Sequence, residues 1–312
     1  MANKLRNSLP KISTFLLLLL LPSLLALAQD IPPTTSVPRN AICRLTRDRS
    51  FCNSVLPPQN GNVYFFGHVS FIRSLSQAVI SLNLVNTYLR RRPFLPDYTI
   101  HALKDCGTLS ELNLDLLSSS FKTVNRTDTF LPDLQADDIQ TFLSAILTNQ
   151  QTCLEGLQSY ESASSVGNEL TAPLINDARL YSVSLALFTQ GWVPRNRRPQ
   201  SVYQTVVSRR KLLQATLPDG VKVSARVRVS KDGSGNFITI NAAIAAAPSG
   251  ASSTAGYFLI HVTEGVYEEY VSISKTKTYL MIVGDGINKT VITGCRSVDD
   301  GWTTFQSATF GK

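Results

Sequence analysis

Histidine is scarce in the 312-residue sequence. His68, His101 and His261 are its only three, and no G-x-S-x-G stretch accompanies them. A serine hydrolase of the Ser-His-Asp type therefore has no nucleophile elbow to build on, and each histidine reads as a surface or internally satisfied side chain. No C-x-x-C pair occurs, which removes zinc-ribbon and thioredoxin-type sites. Beyond one leading apolar stretch, no segment approaches the ~18 continuous apolar residues of a membrane-spanning helix. A basic folded body is missing as well. The net charge of +8 suggests a polyanion binder until it is placed along the chain: Met1 to Ala28 carries +3 and Gly191 to Lys231 carries +9, while 29–190 and 232–312 are each −2. Basicity belongs to a leader and a linker, which removes the main argument for a nucleic-acid-binding domain. Asp232-Gly233-Ser234-Gly235-Asn236 starts like a calcium loop but lacks the sixth-place glycine and twelfth-place glutamate, and reads as a turn.

At the N-terminus, Lys4, Arg6 and Lys11 precede apolar residues Phe15 to Leu21 and Leu24 to Leu27, and Ala26-Leu27-Ala28 precedes Gln29. Pro22 interrupts the run. This is the pattern of a signal peptide over residues 1–28, cleaved after the A-x-A site and leaving no stable membrane anchor. Secretion permits disulfides. Five cysteines, Cys43, Cys52, Cys106, Cys153 and Cys295, leave one over. Sequence alone leaves their connectivity open; the simplest pairing joins Cys43 to Cys52 and Cys106 to Cys153. Asn125-Arg126-Thr127 and Asn288-Lys289-Thr290 are glycosylation sequons suited to the same compartment.

The mature chain divides into two unlike halves. After a proline-rich tail at 31–38, apolar residues recur at three- and four-residue steps. One stripe is Ile72, Leu75, Val79, Leu82 and Leu89, with polar Asn86 among them; another is Ile139, Phe142, Leu143, Ile146, Cys153 and Leu157. Helices are expected near 41–55, 68–91, 98–121, 134–157 and 173–189, with Pro132 and Pro173 at helix starts and acidic residues from Asp133 to Asp138 in a first turn. Together they suggest a disulfide-tied bundle over 29–190. Residues 191–225 contain Pro194, Pro199 and Pro218, lack a consistent period, and read as a basic linker. Beyond it, short β-rich runs at 237–240, 257–262, 279–283 and 290–293 alternate with glycines, broken by one alanine-rich helical stretch at 241–247. Their spacing of about twenty residues suggests the coils of a solenoid.

The run Ser208-Arg209-Arg210-Lys211-Leu212-Leu213-Gln214 sits inside the linker. Three consecutive cations cannot enter a core without several kcal/mol of desolvation each, so the run is solvated; it is either a processing site or an ordinary charged linker.

Several stretches resemble the plant pectinesterase precursors that carry a pectinesterase-inhibitor-like region. In the first half these are Ile42-Cys43 with Thr46 and Cys52, Ala102-Leu103-Lys104-Asp105-Cys106, and Leu143-Ser144-Ala145 through Thr148-Asn149-Gln150-Gln151-Thr152-Cys153-Leu154-Glu155-Gly156. The second half has Val229-Ser230-Lys231-Asp232-Gly233-Ser234-Gly235, then Gly265-Val266-Tyr267-Glu268-Glu269, the family's G-x-Y-x-E signature. Met281-Ile282-Val283-Gly284-Asp285-Gly286 and Asp300-Gly301-Trp302-Thr303-Thr304-Phe305 follow. The resemblance implies a multidomain chain: a four-helix inhibitor-type bundle tied by the cysteine pairing above, then, over 226–312, the N-terminal coils of a right-handed parallel β-helix. It also implies that Arg209, Arg210, Lys211, Leu212 and Leu213 form a site cut by a subtilisin-like protease.

What the resemblance implies for function is hydrolysis of galacturonate methyl esters in cell-wall pectin, outside the cell, by an aspartate nucleophile with a second aspartate as acid and base and no metal or cofactor. The physical logic is that one of two paired carboxylates can stay protonated while the other attacks. The family's glutamine, both aspartates and its arginine-tryptophan motif correspond to positions beyond Lys312. Within the chain, Thr304 matches a sugar-binding threonine, with a strand hydroxyl as the plainer reading. Gly265, Tyr267 and Glu269 read as shaping a turn and packing a coil. Cys295 stands where the family often has asparagine, leaving a thiol without an obvious partner. Three functions follow: a pectinesterase precursor whose first 312 residues are inactive alone, a bundle that binds and inhibits a pectinesterase, or a product whose unfinished solenoid does not fold.

Overall fold

The computed structural model describes residues 32–91, 95–158, 164–194, 221–252 and 254–311. The expected leader at 1–28 and the Arg209 to Leu213 run lie outside the described residues.

Two short helices, α1 (Arg39–Ile42) and α2 (Arg49–Val55), lead into four long ones: α3 (Val63–Arg90), α4 (Asp97–Val124), α5 (Asp133–Gln158) and α6 (Ser164–Gly191). Asp48 and Asn62 cap α2 and α3 by accepting from the amides of Phe51 and Phe65 at 3.0 and 2.9 Å. Pro96 and Pro132 immediately precede α4 and α5, each of which opens on an aspartate. Each long helix packs on two neighbours, α3 against α4 and α6, and α5 against the same two, which closes a four-helix bundle. The α5 stripe faces inward, with Ile139, Leu143, Ile146, Cys153 and Leu157 buried.

The α3 stripe only borders the core, with Leu75 and Leu89 packed against it. Ile72 and Val79 are exposed, and the buried face runs through Gly67, Ser70, Phe71, Ser74, Ala78, Ser81 and Val85. Small side chains let α3 approach α6, and the hydroxyls stay satisfied: Ser70 donates to the Gly67 carbonyl at 2.7 Å, and Ser74 meets Ser184 of α6 at 3.0 Å. Pro173 lies inside α6 and does not start it. The extra turns are held by Val166 and Leu170, which join Leu174 in the core cluster around Cys106 and Cys153. Trp192 is fully buried past the end of α6, its ring against Gly67, where an added Cβ would come within 2.6 Å of it.

The second half is all parallel. Strands β1 (Val223–Val229), β2 (Tyr257–Val262) and β5 (Leu280–Gly284) form one sheet; β3 (Gly265–Glu268) pairs with β6 (Thr290–Thr293), and β4 (Val271–Ser272) with β7 (Phe310–Gly311). The chain passes through three sheet positions and returns one rung further on, Phe258 lying beside Leu280 and Gly265 beside Thr290, which is the stacking of a solenoid. Helix α7 (Ile240–Ala246) caps the first coil, burying Ile240, Ala243 and Ile244 against Val229, Ile260, Val262 and Tyr267.

Two expectations are corrected here. The run at 237–240 is no strand: Phe237 makes a single bridge to Val229, and Thr239 caps α7, accepting from the Ala242 amide at 3.2 Å. The span read as linker also overlaps structure at both ends, since α6 continues to Gly191 and β1 begins at Val223. Val223, Ala225, Val227 and Val229 alternate with Ser224, Arg226 and Arg228, a period-two pattern hidden by its charges.

Candidate functional site

The G-x-Y-x-E signature is built into the solenoid wall. Tyr267 points inward from β3 and is fully buried; its hydroxyl donates to the Thr263 carbonyl at 3.1 Å. Glu269 leaves the wall on the same side as α7 and accepts from the Ile240 amide at 2.9 Å, the Asn241 amide at 3.1 Å and the Asn241 side chain at 3.0 Å. A carboxylate at that helix start meets amides with no intrahelical partner, which is where a negative charge is stabilised. Gly265, beside Lys231 and the Tyr267 ring, opens β3. These residues therefore hold the cap on the first coil, and none presents a reactive group to a cleft.

The neighbouring loop is ordered by Tyr270, whose hydroxyl accepts from the amides of Cys295 and Arg296 at 2.7 and 2.8 Å. The Arg296 guanidinium lies between the Tyr270 and Trp302 rings, 3.7 and 3.8 Å from their centroids. A Cβ at Gly294 would come within 2.6 Å of the Tyr270 ring, so that position has no room for a side chain. Cys295 is exposed and is the one free cysteine among the described residues.

Thr304 opens the short helix α8 (Thr304–Ser307) and is exposed; its neighbours are not free. Thr303 is buried, caps α8 by accepting from the Gln306 amide at 3.1 Å, and donates its hydroxyl proton to Asp105 of α4. Gln306 donates to the other Asp105 oxygen at 2.9 Å, and Phe305 packs on the bundle cluster around Leu109 and Leu154. Burial pushes the Asp105 carboxyl above its ordinary value, against the opposing pull of the Thr303 and Gln306 hydrogen bonds and of nearby His101 and Lys104. Asp105, Thr303 and Gln306 were invisible as a group in the sequence, being some two hundred positions apart. The available signal was a lone carboxylate within the apolar run Ala102, Leu103, Cys106 and Leu109.

The other expected site residues are separate. Cys43 is bonded to Cys52, and Cys106 to Cys153, with Cα–Cα separations of 5.6 and 4.7 Å. Asn125 at the end of α4 and Asn288 in a left-handed turn (φ 63°) are both exposed. Asp232 accepts from the Ser230 hydroxyl and the Ser234 amide at 2.6 and 2.9 Å, which holds its carboxyl down to about 2 within a turn. His261 and Asp285 pair at 2.7 Å on the outer surface, lowering the Asp285 carboxyl. A groove lined by Tyr257, Ile273, Tyr279, Leu280 and Phe310 contains one charged residue, Lys277, whose ammonium is taken by the carbonyls of Ala245 and Ala247. Among the described residues no cluster of three or more histidine, cysteine, aspartate or glutamate side chains could hold a metal ion, and no helix is long and apolar enough to cross a membrane.

Residues 226–312 match the pectinesterase family model, and residues 39–187 match the model of the plant invertase/pectin methylesterase inhibitors. Among curated relatives, the probable pectinesterase/pectinesterase inhibitor 20 of Arabidopsis thaliana is 48% identical over 86% of this chain and 52% of its own length. The probable pectinesterase/pectinesterase inhibitor 7 of the same plant is 44% identical over 93% of this chain and 58% of its own. A solved pectin methylesterase from carrot shares 43% identity over 27% of this chain and 25% of its own, at a TM-score of 0.26. The chain spans about half the length of the curated relatives it matches.

Proposed function

The chain belongs to the plant pectinesterase precursors with an inhibitor-like pro-region, and from that premise we propose that it acts in hydrolysing the methyl esters of galacturonate in cell-wall pectin. The products would be methanol and acidic pectin. The observation that carries this reading is the succession, in one chain, of a disulfide-tied four-helix bundle and a parallel solenoid whose G-x-Y-x-E residues hold its first coil together.

In this reading residues 1–28 direct secretion to the wall and are removed, the residues from 29 to the end of α6 form the pro-region, those between α6 and β1 the linker, and those from β1 onward the opening coils of the esterase. Arg209 to Leu213 is the site at which a subtilisin-like protease separates the halves, Asn125 and Asn288 carry glycans, and Thr304 contacts the sugar chain. The chain spans only about half the length of the relatives it matches, and in this reading residues 1–312 alone release no methanol. The test is a methanol-release assay on methyl-esterified polygalacturonate. The 312-residue chain is compared with a chimera that continues it with the part of the 48%-identical Arabidopsis relative that it does not span. Release by the short chain, or none by the chimera, would overturn the proposal.

A second reading rests on the inhibitor-family match over 39–187: the bundle binds a pectinesterase and covers its substrate groove. Full chain cut in the linker, added at micromolar concentration to an active pectinesterase, lowers methanol release if this holds and leaves it unchanged if it does not.

A further inference from the structure

The bundle and the solenoid meet where α8 lies against α4, through Asp105, and against α5. Asp105 is 8% exposed and sits in the apolar stripe of that helix beside Ala102, Leu103 and Leu109. Both of its oxygens accept hydrogen bonds from the solenoid half and from one turn of chain: Thr303 through its hydroxyl, Gln306 through its side-chain amide. Thr303 also caps α8, so a single threonine oxygen fixes the turn and, through it, the position of Gln306. Phe305, between them, enters the apolar cluster that includes Val85, Leu103 and Leu109. Further along the same helix Asp115 pairs with Lys275 of the solenoid at 2.7 Å. That ion pair is exposed and adds little. The Asp105 contact is of another kind: the carboxylate is buried, accepts at both oxygens and lies beside the apolar seat of Phe305.

We propose that the α4 face around Asp105 is a docking site for the Thr303–Gln306 turn, strong enough to keep the bundle bound to the pectinesterase region after the chain between them is cut. Cleavage in the linker then separates the halves covalently and leaves the bundle seated beside Thr304, and release becomes a distinct step that must break the Asp105 contacts. The inference rests on the reading of the segment between α6 and β1 as a cleaved linker, and it concerns what the cut leaves behind.

The test uses the full chain with a specific protease site placed within 195–220, cut to completion and followed by size exclusion and sedimentation without pectin. The halves of the wild-type chain are expected to stay together with a dissociation constant below about 10 μM. D105A, and separately T303V/Q306A, should weaken that association at least tenfold. The T303V/Q306A chain leaves every bundle residue intact, so it decides the matter if D105A disturbs the bundle's helicity. Separation of the wild-type halves at that concentration, or unchanged association in T303V/Q306A, would overturn the proposal. Pectin is absent from the readout, so failure of the esterase reading in the methanol assay is scored apart from failure of docking.

Discussion

Asp177 provides a sharp test of how the bundle is held together. It lies on the buried face of α6 with no exposed surface; one carboxylate oxygen accepts from Ser81 of α3, and the other has no hydrogen-bond partner. Burial pushes its pKa from 3.8 to about 7, only partly offset by the Ser81 hydrogen bond and the nearby Gln77 side chain. The folded bundle therefore binds this proton more tightly than the unfolded chain does. Where the folded state holds more protons, stability falls with rising pH. The stabilisation is complete below the unfolded pKa and is lost between about pH 4 and pH 7. At ~1.4 kcal/mol for each pK unit of difference, the loss is on the order of 4 kcal/mol, of which roughly 2 falls between pH 5 and 7.

Urea unfolding of the full chain, followed by far-ultraviolet circular dichroism across pH 5 to 8, reads this loss as a falling midpoint of the helical transition. D177N keeps the side-chain shape and an acceptor for Ser81 but cannot ionise. It should flatten the profile, exceeding the wild type by about 1–2 kcal/mol at pH 5 and by more at pH 8. A wild-type midpoint that is flat or rising over this range, or a D177N profile parallel to it, would refute the argument that Asp177 is buried without a compensating charge.

Three further outcomes follow from the same geometry. E269A removes the acceptor shared by two backbone amides and the Asn241 side chain, and should destabilise the solenoid by ~1–3 kcal/mol, with faster hydrogen exchange at Ile240 and Asn241; unchanged exchange would mean that Glu269 does not hold α7. Replacing Cys106 and Cys153 by serine should cost the bundle about 2–5 kcal/mol in a urea titration, and equal midpoints for the two proteins would contradict a structural role for that bond. G67A drives a Cβ to within 2.6 Å of the enclosed Trp192 ring and should lower stability by ~1–3 kcal/mol with a change in tryptophan fluorescence; a silent substitution would show that the ring has room to move.

The halves of the molecule were legible from residue patterns to different depths. Apolar periodicity marks α5 correctly because Ile139, Leu143 and Ile146 are both hydrophobic and buried. On α3 it finds only the flank of the buried face, Leu75 and Leu89, since the close approach to α6 is made by Ser70, Ser74, Ala78 and Ser81, which score as polar or neutral, while Ile72 and Val79 remain in water. Charge hid β1: Arg226 and Arg228 project from a strand of which Val227 and Val229 line the first coil. Pro173 looks like a helix start by local preference, but burial of Val166 and Leu170 extends α6 ahead of it. Signature residues show where the solenoid begins, yet only the fold reveals that Tyr267 and Glu269 support a helix cap. The Asp105 contact depends on two segments with no local sequence relation, so no periodicity could reveal it.

The proposal that this chain forms part of an enzyme cleaving methyl esters is tested most directly by simultaneous measurement of methanol and acid released from methyl-esterified polygalacturonate. The chimera carrying the unspanned part of the Arabidopsis relative should release methanol and protons in equal amounts, and the 312-residue chain neither. Methanol from the short chain, or acid without methanol from the chimera, would contradict the account.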